Sequence, residues 1–118
     1  MFGIWQRDMS RPIDPQSSLQ AMHDGGPLYA RAKAERVYLE EYRKSLKALL
    51  MQASKAPTSA AQEKDAYAAD QYVQHLQAIR IAVEHEETLR WRLITAQTAV
   101  EIWRSQNAAN RNMDRAAA

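Results

Sequence analysis

The sequence predicts an all-α chain, a long antiparallel, coiled-coil-like helical hairpin with an irregular N-terminal segment ahead of it. Three observations predict this. Apolar residues recur in alternating steps of four and three over two long stretches, good helix formers fill both stretches, and a Pro-containing break separates them. All three Gly and all four Pro lie at or before Pro57, so nothing after it interrupts a helix.

Length and composition set the frame. At 118 residues the chain is one domain with one modest core. Apolar residues make up 46% and charged residues 25%, an ordinary balance for a chain that folds in water. Sixteen basic against fourteen acidic residues leave a net charge of +2, too little to imply nucleic acid by itself, although the pI near 9.0 is compatible with a local basic patch. The absence of Cys removes disulfides, thiolate chemistry and cysteine zinc sites, which fits a reducing compartment. The opening Met1-Phe2-Gly3-Ile4-Trp5 is too short an apolar run for a signal peptide and is soon followed by Arg7, Asp8 and Arg11. With no run long enough to span a bilayer, the expected setting is cytoplasmic.

Residues 1–27 read as irregular, because Pro12, Pro15, Ser17, Ser18 and Gly25-Gly26-Pro27 break any long pattern, leaving room for one helical turn over Ser18 to His23. Met9 and Met22 are alternative starts, and Phe2, Ile4, Trp5, Ile13, Leu19 and Met22 offer apolar docking points. The segment is thus either a flexible leader or a strap over the fold.

The hairpin domain occupies residues 28–118. Its first helix runs over 28–54, with Pro27 suited to the first turn. The seam Leu28, Ala32, Glu35, Leu39, Tyr42, Leu46, Leu49 and Ala53 steps by fours and threes along it. A turn over 55–59 follows, since Pro57 disfavours helix at Ala56, and Ser59 with Gln62 has the spacing of a capping box. Helix resumes near Ala60, with a fresh start at Asp70, and runs to about Asn107 before an Asn- and Ala-rich frayed tail. Its seam is Tyr72, Leu76, Ile79, Val83, Glu86, Leu89, Leu93, Ala96, Val100 and Trp103, in which the two successive threes through Glu86 mark a stammer. The second helix outruns the first. There Trp91, Ile94 and Ile102 add a stripe beside Leu93, Val100 and Trp103, wider than one partner helix covers, so Trp91, Ile94, Ile102 and Trp103 are the expected interface of a homo-oligomer.

No catalytic constellation stands out. His23, His75 and His85 lack zinc spacing, and His85 within Glu84-His85-Glu86-Glu87 reads as a solvated charged stretch, so no metal is expected. There is no Gly-rich phosphate loop and no nucleophile elbow, hence no cofactor, no small-molecule substrate and no enzyme is expected. Glu35 and Glu86 interrupt apolar seams and form an expected polar seam. With the turn centred near residue 60 they lie together, with Arg36 and Arg90 close by, either as a register-setting layer paired to Arg or as an acidic site for a basic partner. After Thr88, Arg90, Arg92, Arg104, Arg111 and Arg115 stand against only Glu101 and Asp114. Arg104, Arg111 and Arg115 share one helical face, suited to phosphates, with the solvated end of a helix dipole as the plainer explanation.

The run YARAKAERVYLEEYRKSLKALLM from Tyr29 to Met51, with Ala66-Tyr67-Ala68, Tyr72, His75-Leu76 and Ile102-Trp103-Arg104, resembles small helical proteins of tailed phages and prophages that accompany recombination and replication genes. The resemblance covers roughly residues 28–111 and brings no catalytic residues. It implies a non-enzymatic accessory protein that binds DNA or a DNA-processing protein. Composition and periodicity leave two rivals, a structural assembly coiled coil and a helical inhibitor of a host protein.

Overall fold

The computed structural model describes residues 12–118. Among them are three helices and no strand: α1 (Pro15–Ala53), α2 (Ser59–Ala68) and α3 (Asp70–Ala117). The predicted all-α hairpin is therefore the fold. The N-terminal apolar residues Phe2, Ile4 and Trp5, the alternative start Met9, and the flanking charges Arg7, Asp8 and Arg11 lie outside the described residues.

Helix α1 begins at Pro15, not near Leu28, and passes through Gly25, Gly26 and Pro27 without a break. The expectation of an irregular segment up to residue 27 thus fails for Pro15 onward. Pro15 occupies the first helical position, where its missing N–H is not needed, and Asp14 precedes it with Oδ1 accepting from Gln16 N–H at 3.0 Å. Pro27 deprives His23 of its intrahelical donor. Gly26, lacking Cβ, relieves the usual clash between a pre-proline residue and the proline ring, so the helix survives the insult.

The hairpin turn falls where the sequence places it, with a different cap. Thr58, extended at φ −121° and ψ 155°, caps α2 by accepting from Ala61 N–H at 3.2 Å, so the cap lies one residue before Ser59. Gln62 does not close a capping box. Its Nε2 instead donates to the Ala56 carbonyl at 3.1 Å. Ser54 ties the other side: its Oγ donates to Asp65 Oδ2 at 2.6 Å and accepts from Ala56 N–H at 3.1 Å. Ala69, extended, separates α2 from α3 and uses its carbonyl to accept from Tyr72 and Val73, which makes Asp70 a first-turn residue favoured by the helix dipole rather than a cap.

The chain divides into two compact units. One is Pro27–Arg90; the other combines the described residues before Pro27 with Trp91–Ala118. Within Pro27–Arg90, contacts run antiparallel: Arg36 meets Glu86, Leu39 meets His75, Lys47 meets Glu63, and Ser54 meets Asp65. Along the seam of α1 the covered residues are Tyr29, Ala32, Arg36, Leu39, Leu46 and Leu50, with Glu40, Lys47 and Met51 half-buried beside it, and along the seam of α3 they are Tyr72, His75, Ile79, Ala82, Glu86 and Leu89, with Ala78, Glu87 and Arg90 beside it. On α3 this is an uninterrupted alternation of three and four. The stammer disappears, because His75 and Ala82 take the places assigned to Leu76 and Val83, both exposed.

On α1 the predicted seam is right at Ala32, Leu39 and Leu46 and wrong at Leu28, Glu35, Tyr42, Leu49 and Ala53, which are all exposed. The helix carries apolar residues on three adjacent columns, and the chain buries the column that holds Tyr29, Arg36 and Leu50. That column places Arg36 against Glu86, and on α3 the short side chain of Ala82 lets the two backbones approach closely. Among the described residues the buried apolar ones are Ala32, Ala66, Ala82, Leu89 and Ala96. In the other unit Gly25 follows the same logic: a Cβ placed on it would stand 3.0 Å from Leu93 Cδ2.

Helix α3 continues to Ala117, well past Asn107, so the expected frayed tail is helical. Beyond Val100 its next seam positions are Trp103, Asn107, Asn110 and Asp114, and every residue from Glu101 onward is exposed except half-buried Ala108. Absence of Gly and Pro, the paired alanines and Arg115 in the last turn sustain the helix without packing.

Candidate nucleic-acid interface

The charged groups sort into two sets, those bound within the fold and those left to solvent. The buried set centres on Glu86. Arg36 donates from Nε to Glu86 Oε2 at 2.6 Å, from Nη2 to Glu86 Oε1 at 3.0 Å, and from Nη1 to Glu40 Oε2 at 3.1 Å. The hydrogen bonds from Arg36 hold the Glu86 carboxyl below its ordinary range against the opposing effect of burial, and Lys33 and Arg90 add to the lowering. The hydrogen bonds to Glu86 and then Glu40 raise the Arg36 guanidinium in turn.

Glu35 takes no part in this layer. It is exposed, one residue before the true seam position, so the polar seam is Arg36 and Glu86 rather than Glu35 and Glu86. An acidic site for a basic partner is not formed there, because Arg36 already occupies both carboxylate oxygens. Arg90 turns to its own helix. Its Nε lies 3.1 Å from both Glu87 oxygens and its Nη2 2.9 Å from Oε2, and these bonds raise its pKa.

His75 is engaged as well, its Nε2 standing 2.6 Å from the Leu39 carbonyl oxygen and its ring 5.6 Å from that of Tyr42. Lys47 sits 4.8 Å over the Tyr67 ring and 3.3 Å from Glu63, and its pKa is raised, first by Tyr67. Sequence reasoning did not find these roles. The available signal was that His75 and Ala82 complete an unbroken heptad once polar and small residues are admitted to the seam. Among the described residues no group of acidic, His or Cys side chains is arranged to hold a metal ion, and no helix is long and apolar enough to cross a membrane.

Exposed charges occur on every helix, and the arginines expected to meet nucleic acid lie on α3. Arg104, Arg111 and Arg115 are exposed, share one face with Ala108, and enter no ion pair among the described residues. Arg92 is exposed too, on a different face, so the five sequence-predicted arginines do not form one surface: Arg90 is held by Glu87, Arg92 stands apart, and three converge. Of the expected interface residues, Ile94 is half-buried while Trp91, Ile102 and Trp103 are exposed. Trp91, Ile94 and Ile102 lie outside the three-and-four seam spacing of α3, whereas Trp103 occupies a seam position beside Arg104. Compared with known protein families, curated proteins and solved structures, the chain matches none.

Proposed function

We propose that the protein is a non-enzymatic DNA-binding accessory factor whose contact surface is the terminal stretch of α3. One observation supports this reading above the others: Arg104, Arg111 and Arg115 are exposed on one face of a helix whose seam residues there have become Asn107, Asn110 and Asp114, and they enter no ion pair among the described residues. At a rise of about 1.5 Å per residue the three guanidinium-bearing positions span roughly 16 Å, the length of several phosphate steps along one strand. Arginine suits phosphate through its planar pair of donors. Trp103, exposed at the start of this face, adds a ring on which an unpaired base can stack. The phage recombination and replication setting implied by the resemblance accords with such a role.

The test is binding of short single- and double-stranded DNA at several salt concentrations, using the full chain and a variant with Arg104, Arg111 and Arg115 all changed to Gln. Affinity should fall steeply with salt for the wild type, and the variant should lose about three units of salt slope while its helicity stays unchanged. Salt-insensitive or absent binding by the wild type would transfer the role of this face to a protein partner.

A further inference from the structure

From Glu101 onward the basic residues of α3 fall in a single column, Arg104, Arg111 and Arg115, within about 40° of one another at the helical pitch. Glu101 borders that column on one side and Asp114 on the other, and the opposite side of the helix carries Ile102, Ala109, Met113 and Ala116 with no basic residue. This distribution bears on the form of DNA. A helix seated in the major groove, about 12 Å wide, meets phosphates on both flanks. A column one residue wide and edged by carboxylates serves one strand. Its gaps are also unequal, about 10 Å from Arg104 to Arg111 and about 6 Å from Arg111 to Arg115, which a flexible single strand follows more readily than a regular duplex.

The flank next to this column holds the continuation of the α3 seam. Trp103, Asn107 and Asn110 lie there within about 60° of one another, and all are exposed, Trp103 by 37%. An indole stacks on a base that has left its pair, whereas a duplex keeps both faces of each internal base inside its own stack. The Asn amides donate and accept hydrogen bonds, and the edges of unpaired bases are open to both. Resting on the reading of this face as a DNA contact, we infer that the end of α3 takes single-stranded DNA in preference to duplex. The arginine column holds the backbone of one strand, Trp103 stacks on one unpaired base, and Asn107 and Asn110 meet the edges of its neighbours.

The test uses the full chain, a fluorescein-labelled oligothymidylate of about 20 nucleotides, whose bases are all unpaired, and a mixed-sequence duplex of the same length. At matched salt the single strand should bind tighter than the duplex by about tenfold or more. Trp103→Leu keeps a good helix former at the position. It should lower affinity for the single strand about tenfold, with the salt slope and the duplex affinity unchanged. Trp103→Phe should recover most of that loss, since its ring still stacks, and circular dichroism should be the same for all three chains. Duplex binding as tight as single-strand binding, or a Trp103→Leu variant with undiminished single-strand affinity, overturns the single-strand assignment while the basic face stands as a DNA contact. Absence of salt-sensitive binding to either form by the wild type overturns the basic-face reading itself, and this assignment with it.

Discussion

Arg36 and Glu86, fifty positions apart, meet through two hydrogen bonds of 2.6 and 3.0 Å, with Glu86 the one charged residue buried among those described. This pairing fixes the hairpin register. Sliding either helix by one turn breaks both bonds and leaves a carboxylate buried alone, which costs far more than the pair contributes.

Its energetics lead to a ranked expectation. Arg36→Leu leaves the buried Glu86 uncompensated and should lower Tm the most, on the order of 5–10 °C. Glu86→Leu should cost less, since Arg36 keeps Glu40. The double variant should return close to the wild-type melting temperature. The pH dependence follows from the same pair. Because the Glu86 carboxyl is lowered from 4.5 in the folded chain, its stabilising contribution is complete above that value and is lost as pH falls through the lowered one. Thermal melts by circular dichroism from neutral to acid pH should show this acid limb in the wild type and less of it in the double variant.

A second expectation concerns the strained point in α1. Pro27→Ala restores the hydrogen bond to the His23 carbonyl and removes the ring clash, and should stabilise the chain by up to about 3 kcal/mol. Gly26→Ala meets no atom within 4 Å, yet a Cβ before proline is disfavoured in helix, so alone it should yield less than the usual gain of about 1 kcal/mol. With Pro27 already replaced, it should yield the full amount. Chemical denaturation of the four combinations measures the coupling, and strict additivity would show that the pre-proline clash is absent.

The turn provides the third. Thr58→Ala should destabilise by about 1 kcal/mol through loss of its bond to Ala61 N–H, while Ser59→Ala should change stability by less than about 0.5 kcal/mol. The reverse order would return the cap to Ser59.

How far the sequence could be read depended on what each residue had to do. The hairpin was legible because Pro57 and the start of α2 coincide, and because a long stretch free of Gly and Pro has few alternatives to helix. The seam was half legible. A count of apolar residues favours Leu28, Tyr42 and Leu49 over Arg36, and Leu76 over His75, and that count ignores what a close helix pair rewards, namely short side chains and polar groups that satisfy each other. Gly25, Gly26 and Pro27 misled for a related reason: they are breakers in isolation, but a Gly facing Leu93 and another relieving its proline neighbour are also what a close-packed helix can tolerate. On the basic face, the shared orientation of Arg104, Arg111 and Arg115 was visible from spacing alone. That Arg90 is held by Glu87 was not, since neighbouring carboxylates on a helix compete and only rotamers decide between them.

The alanine-built core has a thermodynamic consequence. Burying Ala32, Ala66, Ala82 and Ala96 with Leu89 removes little hydrocarbon from water compared with a core of Leu, Ile and Phe. Unfolding one chain should therefore carry a heat-capacity increment below the usual ~12–15 cal/mol/K per residue, and its stability should vary only gently with temperature. A shallow curve of that kind makes the hairpin insensitive to cold. Its resistance to heat then rests on the Arg36–Glu86 clasp and on backbone hydrogen bonding more than on hydrophobic burial.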